Sequence, residues 1–273
     1  MRIGMSTASF YNQVMIEDLP ALYAEWGVRN AEYFLNSFCE YEPGFVDMLA
    51  RRTEENGITV CSVHPMSSMF EAQLFSMHPR QRQDAFGIYE KVLAAARRLG
   101  AGRYCMHGAA HLSGAAKNLE ISRIAPIFDE LCVMAESYGV RLTLENVSWC
   151  FFREPEFALR LRDAMKQDML HFTLDIKQAV RSGNDPFSFA ESIGDRIDAV
   201  HCCDCRFENG RIQYLLPPKG GFDFSGLIRV LQDKGFDGDV LLEVYSDTYG
   251  SLEELRDSFY AFKTVISGTE EMF

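Results

Sequence analysis

Four residues of types that bind metal or move protons stand at or next to the end of apolar, β-rich runs. They are Glu145 in VRLTLE (140–145), Asp175 in HFTLD (171–175), His201 in IDAVH (197–201) and Glu243 in VLLEV (240–244). A buried strand does not end in a charge without a compensating partner, because an unpaired ion in an apolar setting is expensive. Three carboxylates and one imidazole offer mostly hard oxygen donors. Such a set suits one divalent ion, with Mn²⁺, Co²⁺ or Mg²⁺ preferred over Zn²⁺, and it differs from the thiolate-rich donors of structural zinc sites. Two further runs, ITVCSV (58–63) and RYCMH (103–107), lead into His64 and His107.

One such residue would mean little, since a lone histidine or glutamate at a strand end is more often simply hydrogen-bonded. Six of them at matching positions are another matter. Alternation along each run puts Thr143 with Glu145, Thr173 with Asp175, Ala199 with His201 and Leu241 with Glu243 on one face, and apolar neighbours on the other. That face would bury several charges side by side, which demands a cation among them.

The elements that would position these groups alternate along the chain. Together with RIGM (2–5) and NAEYFL (30–35) there are eight β-rich runs. Between them lie amphipathic stretches such as 82–100, 116–139 and 251–267, several closing on glycine. Units of this length, without a Pro/Gly/Ser-rich linker, predict an α/β fold: a single (β/α)8 TIM barrel spanning 1–273 as one domain. An open doubly wound sheet is the alternative. In a barrel the strand ends at one rim form the active site, which is where the six residues fall.

Composition narrows the function classes. The chain has 273 residues, a net charge of −12, 47% hydrophobic and 24% charged residues, which are ordinary globular proportions. The negative charge argues against nucleic acid as a partner. No apolar run long enough to span a membrane and no leader-like N-terminus is visible, so a cytoplasmic protein without a membrane partner is expected. The eight cysteines have no framework spacing and are expected to be reduced.

The segments LTLENVSW, TLDIKQA, DAVHCCD and LLPPKGGFDFSGLIRVLQDKGFDGDVLLEV resemble those of the xylose isomerase-like TIM-barrel superfamily, in particular its sugar-phosphate isomerase/epimerase branch. The resemblance runs along the whole chain. It implies that Glu145, Asp175, His201 and Glu243 hold one divalent metal ion and that Glu145 and Glu243 also transfer protons, through an enediolate stabilised by the metal. The endonuclease IV class of relatives uses histidines matching His64 and His107 plus two more. Here the chain departs, with Gln178 three residues after the aspartate and Tyr214 before the LLP run. A glutamine amide is a poor zinc ligand with no titratable proton, which argues against a three-zinc nuclease centre. The same change, and Phe151 where ketose 3-epimerases tend to carry a second glutamate, point away from their usual substrate.

The expectation is therefore a metal-dependent isomerase or epimerase acting on a small-molecule sugar or sugar phosphate. The alternatives are a metal-dependent dehydratase of an inosose-like substrate, an endonuclease IV-like phosphodiesterase, and a sugar-binding barrel without turnover. A homo-oligomer is compatible with each. His64, His107, Gln178, Trp149 and Arg206 are the expected substrate contacts. Phe151 and Phe152 are expected as aromatic pocket walls beside Trp149, while Arg153 and Lys219 are either anion-binding groups or exposed charges. Glu32 is a further inward candidate, and Cys202, Cys203 and Cys205 are read as packing residues.

Overall fold

The computed structural model describes residues 1–66, 70–110, 120–208 and 210–268. Eight parallel strands close into a barrel: β1 (Arg2–Ser6), β2 (Asn30–Leu35), β3 (Thr59–Pro65), β4 (Arg103–Met106), β5 (Arg141–Glu145), β6 (His171–Asp175), β7 (Ile197–Cys202) and, last in the ring, β10 (Asp239–Leu242). The order around the barrel is β1-β10-β7-β6-β5-β4-β3-β2, so every neighbour in space is a neighbour in the ring of βα units. All eight expected strands are present, with ends shifted by up to two residues. Two more, β8 (Asp204–Glu208) and β9 (Arg211–Leu215), pair antiparallel as a hairpin that the sequence reading left as loop.

Ten α-helices lie among the described residues: α1 (Leu19–Glu25), α2 (Pro43–Glu55), α3 (Glu71–Leu74), α4 (Pro79–Leu99), α5 (Ile121–Ser137), α6 (Pro155–Ala164), α7 (Ile176–Arg181), α8 (Pro186–Ile193), α9 (Phe224–Asp233) and α10 (Leu252–Ser267). Proline at the start and glycine at the end bracket α4, where Pro79 needs no partner for a missing N–H and Gly100 caps at φ 73°. The helix expected over 116–139 begins at Ile121. Its residues 116–119 lie outside the described residues.

The outward faces of the strands are apolar and bury against the helices: Tyr104, Leu142, Leu144, Phe172, Leu174, Val200 and Val240 are all essentially inaccessible. The inward faces form layers. At the bottom, buried Asp239 accepts from Arg2 Nε (2.8 Å) and Nη2 (2.9 Å), from Asn30 Nδ2 (2.8 Å) and from Arg103. Gly4 is small because a Cβ there would lie 2.2 Å from the Asn30 carbonyl oxygen. The middle layer is made of small or short side chains, among them Ser62, Cys105, Thr143, Thr173 and Ala199, with Thr173 donating to Thr143 at 2.9 Å. The top layer carries the charged groups.

Candidate active site and metal centre

Asp175 ends β6 and at once caps α7, its Oδ1 accepting the Gln178 backbone N–H at 2.7 Å. Asn146, just past β5, brackets its backbone on both sides: Oδ1 accepts from Asp175 N (2.7 Å) and Nδ2 donates to its carbonyl (2.9 Å). The carboxylate is thereby fixed with Oδ2 left over.

His201 is fully buried and held by two sets of carboxylates. Its Nε2 lies 3.1 Å from Glu32, which is itself fixed by Ser6 Oγ (3.1 Å) and Ser62 Oγ (2.7 Å). With Nε2–H given to Glu32, Nδ1 is the nitrogen free to act as ligand, an outer carboxylate setting the tautomer of the imidazole. Nδ1 indeed faces Glu145 Oε1 and Glu243 Oε2, each at 3.2 Å.

Glu145 is the most heavily supported group. Its Oε2 lies 2.8 Å from His107 Nε2 and 3.2 Å from His64 Nε2, and Cys105 Sγ donates to it at 3.7 Å. The two histidines also meet each other at 2.9 Å between their Nε2 atoms. Burial opposes its charge, but His107 and His201 outweigh burial and hold Glu145 well below the usual carboxylate range. For His64 burial likewise disfavours the charged form, and the hydrogen bond to Glu145 overcomes it, pushing the imidazole up to about 9. Burial raises Asp175, Lys177 pulls it down, and Glu145 and Glu243 push it back up, to about 7.

Ligand atoms of Glu145, Asp175, His201 and Glu243 all lie within 4.8 Å of one another. Glu243 Oε2 is buried without a hydrogen-bond partner, an orphan acceptor aimed at this cluster. An unsatisfied buried carboxylate oxygen, two more carboxylates and an available imidazole lone pair are what a divalent cation requires, so the residues fit one.

Above the cluster opens a cavity of about 530 Å³. Glu145, Glu243, His64, His107, Gln178 and Trp149 line it. Asp175 and His201 do not appear in its wall and lie beneath. Trp149 is 41% exposed and packs edge-on to His107 at 5.7 Å. Gln178 is tied down: Oε1 accepts from Ser148 N (3.1 Å) and Oγ (2.8 Å), and Nε2 reaches the Tyr245 hydroxyl at 3.4 Å.

Arg206, Phe151 and Phe152 stand elsewhere than expected. Arg206 stands on the hairpin, exposed, donating to the Lys219 carbonyl at 2.7 Å and away from the cavity wall. Phe151 and Phe152 are not pocket walls but core: Phe151 stacks on Phe157 (5.2 Å) and Phe152 packs on Phe172 (5.4 Å). Phe151 also fills the space where a Cβ of Gly108 would stand, 2.7 Å from its ring. Arg153 is exposed, Lys219 pairs with Glu254 at 2.7 Å, and Tyr214 sits half-buried on β9 opposite Cys205. All eight cysteines are free, with Cys202 and Cys203 buried as packing residues and Cys205 half-buried.

Three residues that bear on the site were missed. Asn146 orients Asp175, as described. Glu71, fully buried on α3, accepts from the backbone N–H of His107 and Gly108 and from the Tyr104 hydroxyl, each at 2.9 Å, and so fixes the loop that carries His107. Lys177 is buried with its ammonium 3.6 Å from both Asp175 Oδ2 and Glu243 Oε1 and 4.1 Å above the Tyr245 ring. A lysine in the first turn of a helix opposes the helix dipole, and that was the signal available in TLDIKQA.

Residues 20–264 match the family model described as xylose isomerase-like TIM barrel. The chain belongs to that family. Among solved structures, a D-psicose 3-epimerase from Clostridium cellulolyticum H10, determined with D-tagatose, superposes with a TM-score of 0.80 at 16% identity over 97% of this chain and 99% of its own. The IOLI protein, determined with a zinc atom, gives 0.81 at 18% identity over the full length of both chains. Identities this low establish the shared fold alone. An inosose dehydratase from Clostridium perfringens is 22% identical over 143 residues, which is 47% of this chain and 48% of that enzyme's length. No helix among the described residues is long and apolar enough to cross a membrane.

Proposed function

We propose that this xylose isomerase-like barrel is a divalent-metal-dependent isomerase or epimerase of a sugar, with Glu145, Asp175, His201 and Glu243 as metal ligands and Glu145 and Glu243 as proton-transfer groups. The observation that carries the proposal is the pair of glutamates on either side of His201 Nδ1, both reaching a cavity large enough for a monosaccharide, with ligand atoms of all four residues within 4.8 Å. Mn²⁺, Co²⁺ and Mg²⁺ suit the oxygen-rich donor set. A divalent ion held there would act as a Lewis acid toward a carbonyl and its neighbouring hydroxyl.

The protein's own groups divide the remaining work. Glu243, which lines the cavity, is the carboxylate placed to accept a proton from carbon. Glu145 would deliver a proton on return, backed by His107 and His64. The two glutamates come from elements separated by β6 and β7 around the rim, which lets them reach a carbon from different sides, as epimerisation requires. Trp149 offers a flat apolar face to a sugar ring, and the fixed Gln178 amide lies beside it. Lys177 is the one lysine or arginine among the described wall residues and is engaged with two carboxylates, so a neutral sugar fits better than a sugar phosphate. The whole chain would act as one domain in the cytoplasm.

Dehydration of an inosose-like substrate is the second reading, favoured by the similarity to the inosose dehydratase and by chemistry that begins with the same proton abstraction. One experiment addresses both. Mn²⁺-loaded protein is incubated with a panel of ketoses and inososes in D₂O. Deuterium next to the carbonyl is the expected result, loss of one water from the substrate would select dehydration, and neither with metal bound would overturn the catalytic reading.

A further inference from the structure

Lys177 is a buried cation to which the proposed sugar chemistry gives no task. Its side chain is 2% exposed, yet it makes no contact of hydrogen-bonding length with either carboxylate: both oxygens stand at 3.6 Å. The two carboxylates it faces are candidate metal ligands, and it stands near one oxygen of each. On Glu243 it faces Oε1, while Oε2 turns to His201. On Asp175 it faces Oδ2, while Oδ1 is consumed by the helix cap. The Tyr245 ring, 4.1 Å from the ammonium, closes the other side and favours a cation over its face.

Charge counting gives this arrangement a purpose. Within the ligand set alone, three carboxylates and one divalent ion sum to −1, and the Lys177 ammonium beside Asp175 and Glu243 offsets that remainder. Without the ion, three carboxylates would face one another in a buried site, and the ammonium offsets one of them at the two ligands that His64 and His107 do not reach. We propose that Lys177 is a built-in counter-ion of the metal site, keeping Asp175 and Glu243 in place when the ion is absent and weakening the hold on the ion when it is present. The site would then be preformed and its metal exchangeable. This rests on the metal-site reading above.

The test uses the full-length protein and two variants, Lys177→Met and Lys177→Arg. Mn²⁺ affinity is measured by calorimetric titration at about pH 8.5, where ordinary carboxylates are ionised, and melting temperature is measured with excess chelator and with saturating Mn²⁺. Removing a positive charge a few ångströms from a divalent ion should tighten Mn²⁺ binding on the order of ten-fold or more. The chelated Lys177→Met protein should melt below chelated wild type, the gap should narrow with Mn²⁺, and Lys177→Arg should restore both. Loss of packing alone would do the reverse to affinity, loosening the site. A Lys177→Met protein that folds only with Mn²⁺ also supports the proposal. Unchanged or weaker Mn²⁺ binding by Lys177→Met, with wild type binding normally, overturns it. Failure to fold even with Mn²⁺ overturns it too, because the ion should substitute for the ammonium. Wild-type protein that binds no divalent ion overturns the metal-site reading itself.

Discussion

Asp239→Asn should destabilise the protein severely while leaving the chemistry of the folded fraction untouched. Asp239 is completely buried at the bottom of the barrel and accepts from Arg2, Arg103 and Asn30. The two arginines do not weigh equally. The Arg2 side chain is 56% exposed, so its share is screened and amounts to about 1 kcal/mol at most. Arg103 is only 11% exposed, and without the carboxylate its guanidinium is left buried and unpaired, a loss of about 3–5 kcal/mol. At ~2–4 °C per kcal/mol for a chain of this size, the melting temperature should fall by roughly 6–24 °C. Thermal and urea melts of wild type and variant measure it, and turnover is compared at equal folded fraction. Replacing both partners, Asp239→Leu with Arg103→Met, should recover much of the loss, because a well-packed apolar pair needs no counter-charge. A single-variant loss under about 1 kcal/mol would show that the cluster behaves as a screened surface pair. A fall in turnover per folded molecule would show that the two ends of the barrel are not independent.

Other expectations concern the site and the outer rim. Glu145→Gln and Glu243→Gln should retain much of the metal at saturating Mn²⁺ but lose turnover by ~10²-fold or more, whereas Asp175→Asn should lose metal affinity first and recover activity with excess metal; full rescue of the glutamine variants by Mn²⁺ would make the glutamates ligands only. Gln178→His should create no cleavage of abasic DNA, since Tyr214 lies on the hairpin and a gel assay showing nicking would contradict that. Asp198 is lowered from its ordinary 3.8, because its hydrogen bonds to His171 (2.8 Å) and Arg141 (2.9 Å) outweigh burial. A depressed carboxylate stabilises the fold above its unfolded pKa and loses that contribution as pH falls through the folded one. Asp198→Asn should therefore be about 1 kcal/mol less stable near neutrality, with the two proteins converging in denaturant melts below pH 3.8.

The barrel and its rim were legible because both rest on period. A strand buried on one face against helices and on the other against a charged interior must alternate, and the alternation of β5 and β6 alone places Glu145 and Asp175 inward. The hairpin was lost for a related reason. Its two arms flank Asn209-Gly210, a strong turn signal, yet four of the five β8 residues are at least partly exposed, so no buried face marks the run. Exposure also explains Arg206: a cation near a motif is indistinguishable from a solvated one until its partner, here the Lys219 carbonyl, is known. Phe151 and Phe152 were misread because a loop aromatic close to a strand end that carries a candidate ligand can face the mouth or the core, and the deciding contacts include Gly108 and Phe172 from neighbouring βα units as well as Phe157 on α6.

Parity reports which face a side chain takes but not what stands across from it, and the chemistry of this site depends on the second. Asp175 shows the difference. Its place at the end of an apolar strand has an ordinary local cause, the cap it supplies to α7 through Gln178 N. That cap alone would satisfy one oxygen and explain the residue without function. The second oxygen also faces groups that no local pattern contains, Glu243 from just past β10 and His201 with its tautomer set by Glu32 from β2, besides the ammonium of Lys177. A helix cap that also faces a carboxylate, an imidazole and an ammonium is over-determined for structure, and the excess is what makes it a candidate member of a site.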